Sequence, residues 1–218
     1  MRIGLVVLAT DMVVEVEWRE IFAGLPIEIL VARIACAAEV TPKALLTMAH
    51  EIGHCASLIL PDVELDAIAY GCTSGSLVIG EEKVQQLLQQ GNSEQITSNP
   101  FSAIKAALAF IKAKNIVVLS PYLASVNEPF YNALDSVGYN IMAWGSLDLT
   151  LDKDIGSMNP EHLPKLIEDL LAGVDAVPDA VFISCTNFKA VAKLAELEQL
   201  YGCYFISSNQ VMAWHLLH

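Results

Sequence analysis

Residues 66–76 read Asp-Ala-Ile-Ala-Tyr-Gly-Cys-Thr-Ser-Gly-Ser, an apolar run that ends at a glycine and continues as a polar turn. The run is typical of a buried strand, and a helical pattern from Leu77 to Leu88 follows the turn directly. The turn carries the thiol of Cys72, and open α/β sheets bind their ligands at the carboxyl ends of strands. The stretch therefore predicts an α/β fold with Cys72 in a functional site.

The same pattern occurs a second time. Residues 179–187 read Asp-Ala-Val-Phe-Ile-Ser-Cys-Thr-Asn, so Cys185 follows Cys72 by 113 residues, as Asp179 follows Asp66. This offset also aligns the apolar run at 2–8 with the run at 115–121. A repeat of this length indicates a duplicated lobe rather than a solenoid.

We therefore predict two α/β lobes related by a pseudo-two-fold axis, each a parallel sheet flanked by helices, with the active site in the cleft between them. The first lobe would comprise residues 1–96 together with 205–218, and the second lobe residues 97–204. The polar segment 96–100 would connect the lobes, and the C-terminal tail would pack on the first lobe. The helix after Cys72 would end near Gly91 and Asn92.

The composition restricts the possible partners. Hydrophobic residues make up 54% of the chain and charged residues 17%, which indicates a well-buried core and apolar surface covered in a homo-oligomer, a dimer or a tetramer. The net charge of −13, without a cluster of Lys and Arg, argues against a nucleic-acid partner. The apolar runs are shorter than the roughly 20 residues that cross a bilayer, so no membrane partner is expected.

The N-terminus and the cysteine content indicate a cytoplasmic protein. The apolar run after Met1 is cut short at Thr10 and Asp11, so we interpret it as the first strand rather than a secretory leader. Five cysteines, an odd number without tight spacing, fit a reducing compartment better than a disulfide framework. Cys36, Cys55 and Cys203 are each interpreted as small buried hydrophobic residues.

A zinc hydrolase is an alternative from a different class. His50-Glu51-Ile52-Gly53-His54 matches the His-Glu-x-x-His signature, which places two imidazole ligands one turn apart on a helix beside a general base. No third ligand is evident downstream, and the apolar residues of 42–60 form the stripe of a helix that covers a sheet. We favour solvated histidines and expect no metal.

Two thiols that face each other across a cleft can act on two faces of one carbon or on adjacent carbons, one as base or nucleophile and the other as acid. Each cysteine is expected between a strand end and a helix start, where the helix dipole would lower the thiol pKa. Thr73, Ser74 and Thr186 can hold a carboxylate and stabilise enolate-like charge. No phosphate-binding or dinucleotide motif follows a strand, so no cofactor is implied.

Two further residues follow strand ends. Tyr122, after the strand at 115–120, has a hydroxyl that could bind a carboxylate, although a boundary tyrosine is the ordinary alternative. Asp11 lies after the first strand and is either a site residue or the N-cap of the following helix.

Taken together, the motifs resemble the aspartate/glutamate racemase superfamily, in particular its branch of maleate cis-trans isomerases and arylmalonate decarboxylases with their ectoine-utilisation relatives. The resemblance covers essentially the whole chain. It is carried by the two cysteine loops, by Ser-Pro-Tyr-Leu-x-x-Val-Asn at 120–127 and by Ser-Ser-Asn-Gln-x-x-x-Trp-His at 207–215.

The resemblance implies roles for individual residues. Cys72 would add to the substrate alkene as nucleophile, and Cys185 would protonate the neighbouring carbon, as in maleate isomerases. Asn127 would join the substrate-binding set. Arylmalonate decarboxylases carry glycine where this chain has Cys72, so a two-thiol reaction is favoured over decarboxylation. Isomerases carry Asn where this chain has Asp11, which keeps an amino-acid or hydantoin racemase as an alternative.

The leading hypothesis is thus a cofactor-independent isomerase of a small carboxylate. A decarboxylase and a catalytically silent binding or regulatory relative remain open as further alternatives.

Overall fold

The computed structural model describes residues 1–90 and 94–218, and its strands form two parallel sheets. The first sheet has the order β2-β1-β3-β4, and its strands are β1 (Arg2–Leu8), β2 (Glu28–Ile34), β3 (Ala67–Gly71) and β4 (Ile96–Ser98). The second sheet has the order β6-β5-β7-β8, and its strands are β5 (Asn115–Ser120), β6 (Asn140–Ser146), β7 (Ala180–Ile183) and β8 (Tyr204–Ser207). The identical strand order confirms the duplicated two-lobe α/β fold.

Helices cover both faces of each sheet, as parallel sheets require. The described helices of the first half are α1 (Val14–Ile21), α2 (Pro42–Thr47), α3 (Ala49–Ser57), α4 (Thr73–Ile79) and α5 (Glu81–Leu88). Those of the second half are α6 (Pro100–Phe110), α7 (Ala124–Ser136), α8 (Asp152–Gly156), α9 (Leu163–Leu171), α10 (Val191–Tyr201) and α11 (Ser208–His215). A short 3-10 helix, Pro160–His162, precedes α9.

Successive side chains of the central strands point to opposite faces of the sheets, so an apolar core forms on each side. In β1, Ile3, Leu5 and Val7 belong to one apolar cluster, whereas Val6 and Leu8 belong to the other. The first of these clusters includes residues of α1, α6 and α11, and the second includes residues of α3 and α5. Because both faces are covered, β1 and β3 consist almost entirely of apolar residues.

The two halves repeat a polar contact as well as a sheet. The Asp66 carboxylate accepts a hydrogen bond from the backbone N–H of Arg2 at 2.6 Å, and Asp179 accepts one from the backbone N–H of Asn115 at 2.8 Å. Each aspartate thus fixes the start of the central strand to the start of its neighbour. The 113-residue offset found in the sequence thus relates both partners of the two contacts, Asp66 to Asp179 and Arg2 to Asn115.

Several helices begin where the sequence provides a cap. Thr41 accepts a hydrogen bond from the N–H of Ala44 and precedes Pro42, as predicted. The single helix expected over 42–60 is instead two helices that meet at Met48. Helix α5 ends at Leu88, and the expected end near Gly91 and Asn92 lies outside the described residues.

Strand pairing corrects the expected connection between the lobes. Ile96–Ser98, expected as a linker, is β4, because it adds to the free edge of β3. Tyr204–Ser207, of which 205–207 were assigned to the first lobe, is β8 and pairs with β7 in the second sheet. Helix α11 then contacts both α1 and α6. The exact division of the chain into lobes stays a prediction.

The stretch 147–160, expected as a long loop, contains the short helix α8. Its first residue, Asp152, is buried and lies at the site described below. None of the helices in the described part of the chain has the length and apolar character needed to span a lipid bilayer.

Candidate active site

Cys72 lies at the point where β3 ends and α4 begins. It is the N-cap of α4, and its Sγ accepts a hydrogen bond from the N–H of Gly75 at 3.3 Å. A Cβ atom on Gly75 would lie 2.5 Å from the Tyr70 hydroxyl and 2.9 Å from the Cys72 sulfur. Glycine is therefore needed at this position so that the helix can approach the thiol closely.

Cys185 follows β7 in a strained conformation. Its φ angle is 100°, a region that residues with a side chain rarely adopt. Its backbone N–H donates to the Ser208 hydroxyl at 3.0 Å, and its sulfur accepts from the N–H of Asn187 at 3.4 Å. The next helix begins only at Val191, so Cys185, unlike Cys72, is not a helix N-cap.

Both cysteines line one narrow cavity between the carboxyl ends of the two sheets. Hydroxyl groups of Ser74, Tyr122 and Thr186 accompany them. The remaining lining residues are Leu8, Asp11, Cys36, Ala37, Glu39, Val40, Ala44, Leu45, Met48, Asp152 and Asn187. The cavity thus combines three thiols, hydroxyl donors and acids within an apolar wall.

Hydrogen bonds connect the two cysteine loops directly. The Thr186 hydroxyl donates to the carbonyl oxygen of Gly71 at 3.2 Å, although the two residues are 115 positions apart in sequence. Ser208 bridges the loops from the other side, because its hydroxyl contacts both the Thr73 hydroxyl at 2.9 Å and the N–H of Cys185. These contacts fix the two sulfur atoms relative to each other.

Two of the residues expected around the substrate do not line the cavity. Thr73 directs its hydroxyl to Ser208, and Asn127 lies inside α7 rather than in a loop. The Asn127 amide donates to the carbonyl oxygen of Tyr122 at 2.7 Å and to the Ser146 hydroxyl at 3.1 Å. Both residues hold neighbouring groups in place, and no contact with the cavity supports direct binding.

The thiols are less acidic than expected. Burial raises the pKa of Cys72 to about 12, although hydrogen bonds from Gly75 and Ser74 act in the opposite direction. Burial also raises the pKa of Cys185 well above its usual value, with the negative charge of Asp152 adding to the effect. The expectation that the helix dipole would lower the pKa was wrong, because desolvation of the buried thiolate outweighs it.

Asp11 lies two residues before Val13, which is the N-cap of α1, so Asp11 is not itself the N-cap. One carboxylate oxygen accepts hydrogen bonds from the N–H groups of Val13 and Val14 at 2.8 and 2.9 Å, so it holds the backbone at the start of α1. The same side chain lines the cavity and is only 4% exposed. Burial, with a contribution from the charge of Asp152, raises its pKa to about 6.

Sequence reasoning missed four polar or ionisable residues of the cavity: Cys36, Glu39, Asp152 and Asn187. Two segments brought together by tertiary contacts, residues 36–40 and 150–152, carry three of them. The N–H of Val40 donates to the carbonyl oxygen of Thr150 at 3.1 Å, and the N–H of Asp152 to that of Ala38 at 3.2 Å. Asn187, two residues after Cys185, could have been found by its place in the strand-end loop.

Cys36 was expected to be a small buried hydrophobic residue, but it is only partly buried. Its sulfur lies 3.3 Å from the Thr10 hydroxyl and faces the cavity. Cys55 is a buried residue of α3 and Cys203 is partly buried, and neither lines the cavity.

The His-Glu-x-x-His segment lies elsewhere. His50, Glu51 and His54 are exposed on α3. Among residues 1–90 and 94–218, no group of three His, Cys, Asp or Glu side chains is arranged to hold a metal ion. The structure thus provides no third ligand for the two histidines within that part of the chain.

Comparison with known families gives a match over nearly the full length of the chain. The profile of a family described as arylmalonate decarboxylase matches residues 3–218. The chain belongs to the arylmalonate decarboxylase family. This confirms the branch that the cysteine loops indicated.

Individual relatives of this family member include isomerases and decarboxylases. Maleate isomerase of Pseudomonas putida (strain KT2440) is 25% identical over 172 residues, which cover 75% of this chain and 67% of that protein. A variant of Nocardia farcinica maleate cis-trans isomerase, with cysteine replaced by serine and a covalently bound succinylcysteine intermediate, has a TM-score of 0.88 at 22% identity, covering 99% of this chain and 91% of that one. An arylmalonate decarboxylase structure has a TM-score of 0.75 at 16% identity, covering 100% and 91%. At these identities the solved structures establish a shared fold.

Proposed function

We propose that this protein is a cofactor-independent isomerase of a small carboxylate that works through Cys72 and Cys185. The observation that carries the proposal is that both thiols line the same cavity, beside the hydroxyl groups of Ser74, Tyr122 and Thr186. Family membership supports the proposal, since maleate isomerases are among the relatives.

In the proposed reaction, Cys72 gives its proton to solvent, and the resulting thiolate sulfur adds to one alkene carbon of the substrate. The π electrons move to the neighbouring carbon and onto its carboxylate, and the Cys185 S–H protonates that carbon. Rotation about the new single bond follows. The Cys185 thiolate then removes the proton from that carbon, the double bond forms again, and the Cys72 sulfur leaves as a thiolate. Cys72 regains its proton from solvent, so both thiols return to their initial states.

The surrounding groups support this assignment of roles. The Tyr122 side chain forms a hydrogen bond with Cys185. The hydroxyl oxygen of Ser74 lies 3.8 Å from the sulfur of Cys72. Hydroxyl donors at these positions can stabilise negative charge that develops on a substrate carboxylate. The high pKa of Cys185 suits a proton donor, because the thiol stays protonated until the carbanion forms.

The test is incubation with maleate, followed by product analysis by NMR and by intact-mass measurement. We expect fumarate, and we expect Cys185→Ser to accumulate an adduct on Cys72 because addition proceeds without turnover. Cys72→Ala should give neither product nor adduct. Cys203→Ser, which lies outside the cavity, is the matched control and should retain activity.

Two alternatives have distinct readouts. An amino-acid racemase, which Asp11 in the cavity favours, would exchange the α-hydrogen of an amino acid with solvent deuterium. A decarboxylase would release carbon dioxide from an aryl malonate. Either result without maleate turnover would replace the isomerase proposal.

A further inference from the structure

The candidate cavity is acidic on one side. Asp11 and Asp152 both line it, and both are at least 95% buried, with exposed fractions of 4% and 5%. Glu39 adds a third carboxylate. Among the described residues that line the cavity, none is Lys, Arg or His.

The hydrogen bonds of Asp152 leave one of its oxygens available to a ligand. Its Oδ2 accepts from the Thr10 hydroxyl, which fixes the side chain. In residues 1–90 and 94–218, no hydrogen bond reaches Oδ1 of Asp152. Oδ1 is not among the buried polar atoms that lack a partner in the described part of the chain, so it remains accessible, and a donor from a bound ligand could reach it.

Asp11 and Asp152 are also close enough to interact. The charge of Asp152 opposes ionisation of Asp11 and of both cysteines. A substrate with negative charge at each end would bring a further like charge next to this pair. A substrate with N–H donors at that end would instead reduce the repulsion and supply the missing hydrogen bond.

Building on the proposed function, we propose that the substrate carries a carboxylate at one end and a nitrogen with N–H donors, an amide or an ammonium group, at the other. Asp11 and Asp152 accept hydrogen bonds from this nitrogen. The hydroxyl groups near the cysteines hold the carboxylate end. The two aspartates are thus specificity-determining residues that select against dicarboxylates.

The effect of the negative charge of these aspartates can be measured without knowing the substrate. The experiment alkylates Cys72 with a matched pair of reagents, one neutral and one anionic. Iodoacetamide and iodoacetate differ only by an amide in place of a carboxylate. Any change in the thiol pKa affects both rates equally, so it cancels in their ratio. The rate at Cys72 is followed by peptide mass spectrometry, and the ratio is divided by that of glutathione under the same conditions.

We expect the wild type to favour iodoacetamide over iodoacetate by at least about tenfold relative to glutathione, as one like charge at short range would produce. Asp11→Asn and Asp152→Asn should each shift the ratio toward glutathione, and the double variant should shift it furthest. Glu82→Gln, an exposed change outside the cavity, should leave the ratio unchanged. A wild-type ratio equal to that of glutathione overturns the inference.

Calorimetry with maleamate and maleate provides the second measurement. We expect maleamate to bind the wild type at least about tenfold more tightly, with the preference reversed in the double variant. Equal binding of the two, or binding of neither, counts against the inference. Maleate turnover without any preference for the amide would retain the proposed function and overturn this inference, whereas amide preference without isomerisation would do the opposite.

Discussion

The Thr186 hydroxyl donates a hydrogen bond to the carbonyl oxygen of Gly71, with 3.2 Å between the oxygen atoms. Each residue is the sequence neighbour of a cavity cysteine, so this contact, together with the bridge through Ser208, sets the spacing of Cys72 and Cys185. Thr186 is 3% exposed, so water does not compete for this bond.

Replacing Thr186 by valine keeps the shape of the side chain and removes this contact. We expect the free energy of unfolding to fall by about 1 kcal/mol, because the carbonyl of Gly71 loses its donor. We expect kcat to fall by about tenfold, because the two thiols are no longer held at the spacing and orientation that the reaction requires. Urea denaturation and maleate turnover are the measurements. Thr47→Val, at an exposed hydroxyl, is the control, and a Thr186 variant with full kcat would contradict the positioning role.

The raised pKa of Cys72 predicts unusual pH-dependent reactivity. Only the thiolate is nucleophilic, and a pKa of about 12 means that the thiol is almost entirely protonated at neutral pH. The rate of Cys72 alkylation by iodoacetamide should therefore rise steadily between about pH 7 and 10 without a plateau. The measurement is best made in Cys185→Ser, which leaves one catalytic thiol. A plateau near pH 8 would show that burial does not control this group.

Asp11 predicts a pH-dependent loss of stability. Its pKa rises from 3.8 in the unfolded chain to about 6 in the folded protein, so the folded state holds this proton more tightly. Ionisation of Asp11 therefore destabilises the folded protein increasingly as the pH rises from about 4 to 6, and this destabilisation persists above that range. The free energy of unfolding of Asp11→Asn, relative to that of the wild type, should therefore rise by about 2 kcal/mol as the pH increases from roughly 4.5 to 8.

Urea denaturation of both proteins across this range measures the effect. Asp135→Asn, the same change at an exposed site, serves as the matched control. A constant difference between Asp11→Asn and wild type would mean that Asp11 ionises alike in the folded and unfolded states.

Replacement of Glu17, which does not line the cavity, is expected to lower the stability of the protein strongly. This buried side chain of α1 accepts hydrogen bonds from the N–H groups of Ala190 and Val191 at 2.7 and 2.9 Å, where α10 begins. It also accepts from the Asn209 amide at 2.7 Å, and that amide donates to the carbonyl oxygen of Thr186. Glu17 therefore holds the second cysteine loop from the opposite half of the protein.

Glu17→Gln places an amide donor against the Asn209 amide and breaks this arrangement. We expect the free energy of unfolding to fall by about 2–4 kcal/mol, because buried partners lose their acceptor. Urea denaturation measures the loss. Glu20→Gln, exposed on the same helix, should have little effect, and equal stability of the two variants would contradict the assignment.

Local sequence patterns determined the strands and their duplication. A strand buried on both faces of a parallel sheet is a continuous apolar run, and Asp66 and Asp179 mark the same point in each repeat. The rule that ligands lie at the carboxyl ends of strands then predicted Cys72, Ser74, Tyr122, Cys185 and Thr186, all of which line one cavity.

Patterns failed where an element depends on its neighbours. The segment 96–98 is polar and short, and it is a strand only because β3 offers it a free edge. Asn127 follows a strand in sequence, yet α7 turns it toward Tyr122 and Ser146 and away from the cavity. Neither outcome can be deduced from the residues of the segment alone.

The sequence by itself determined the duplicated α/β fold and the convergence of two thiols, because periodicity and spacing are local properties of the chain. Only the tertiary structure decided the chemistry around those thiols. It brought Asp152 into the cavity through the pairing of residues 36–40 with 150–152, and it enclosed Cys72 so fully that burial outweighs the helix dipole. Charge and solvation depend on every group near an atom in space, whatever its distance along the chain.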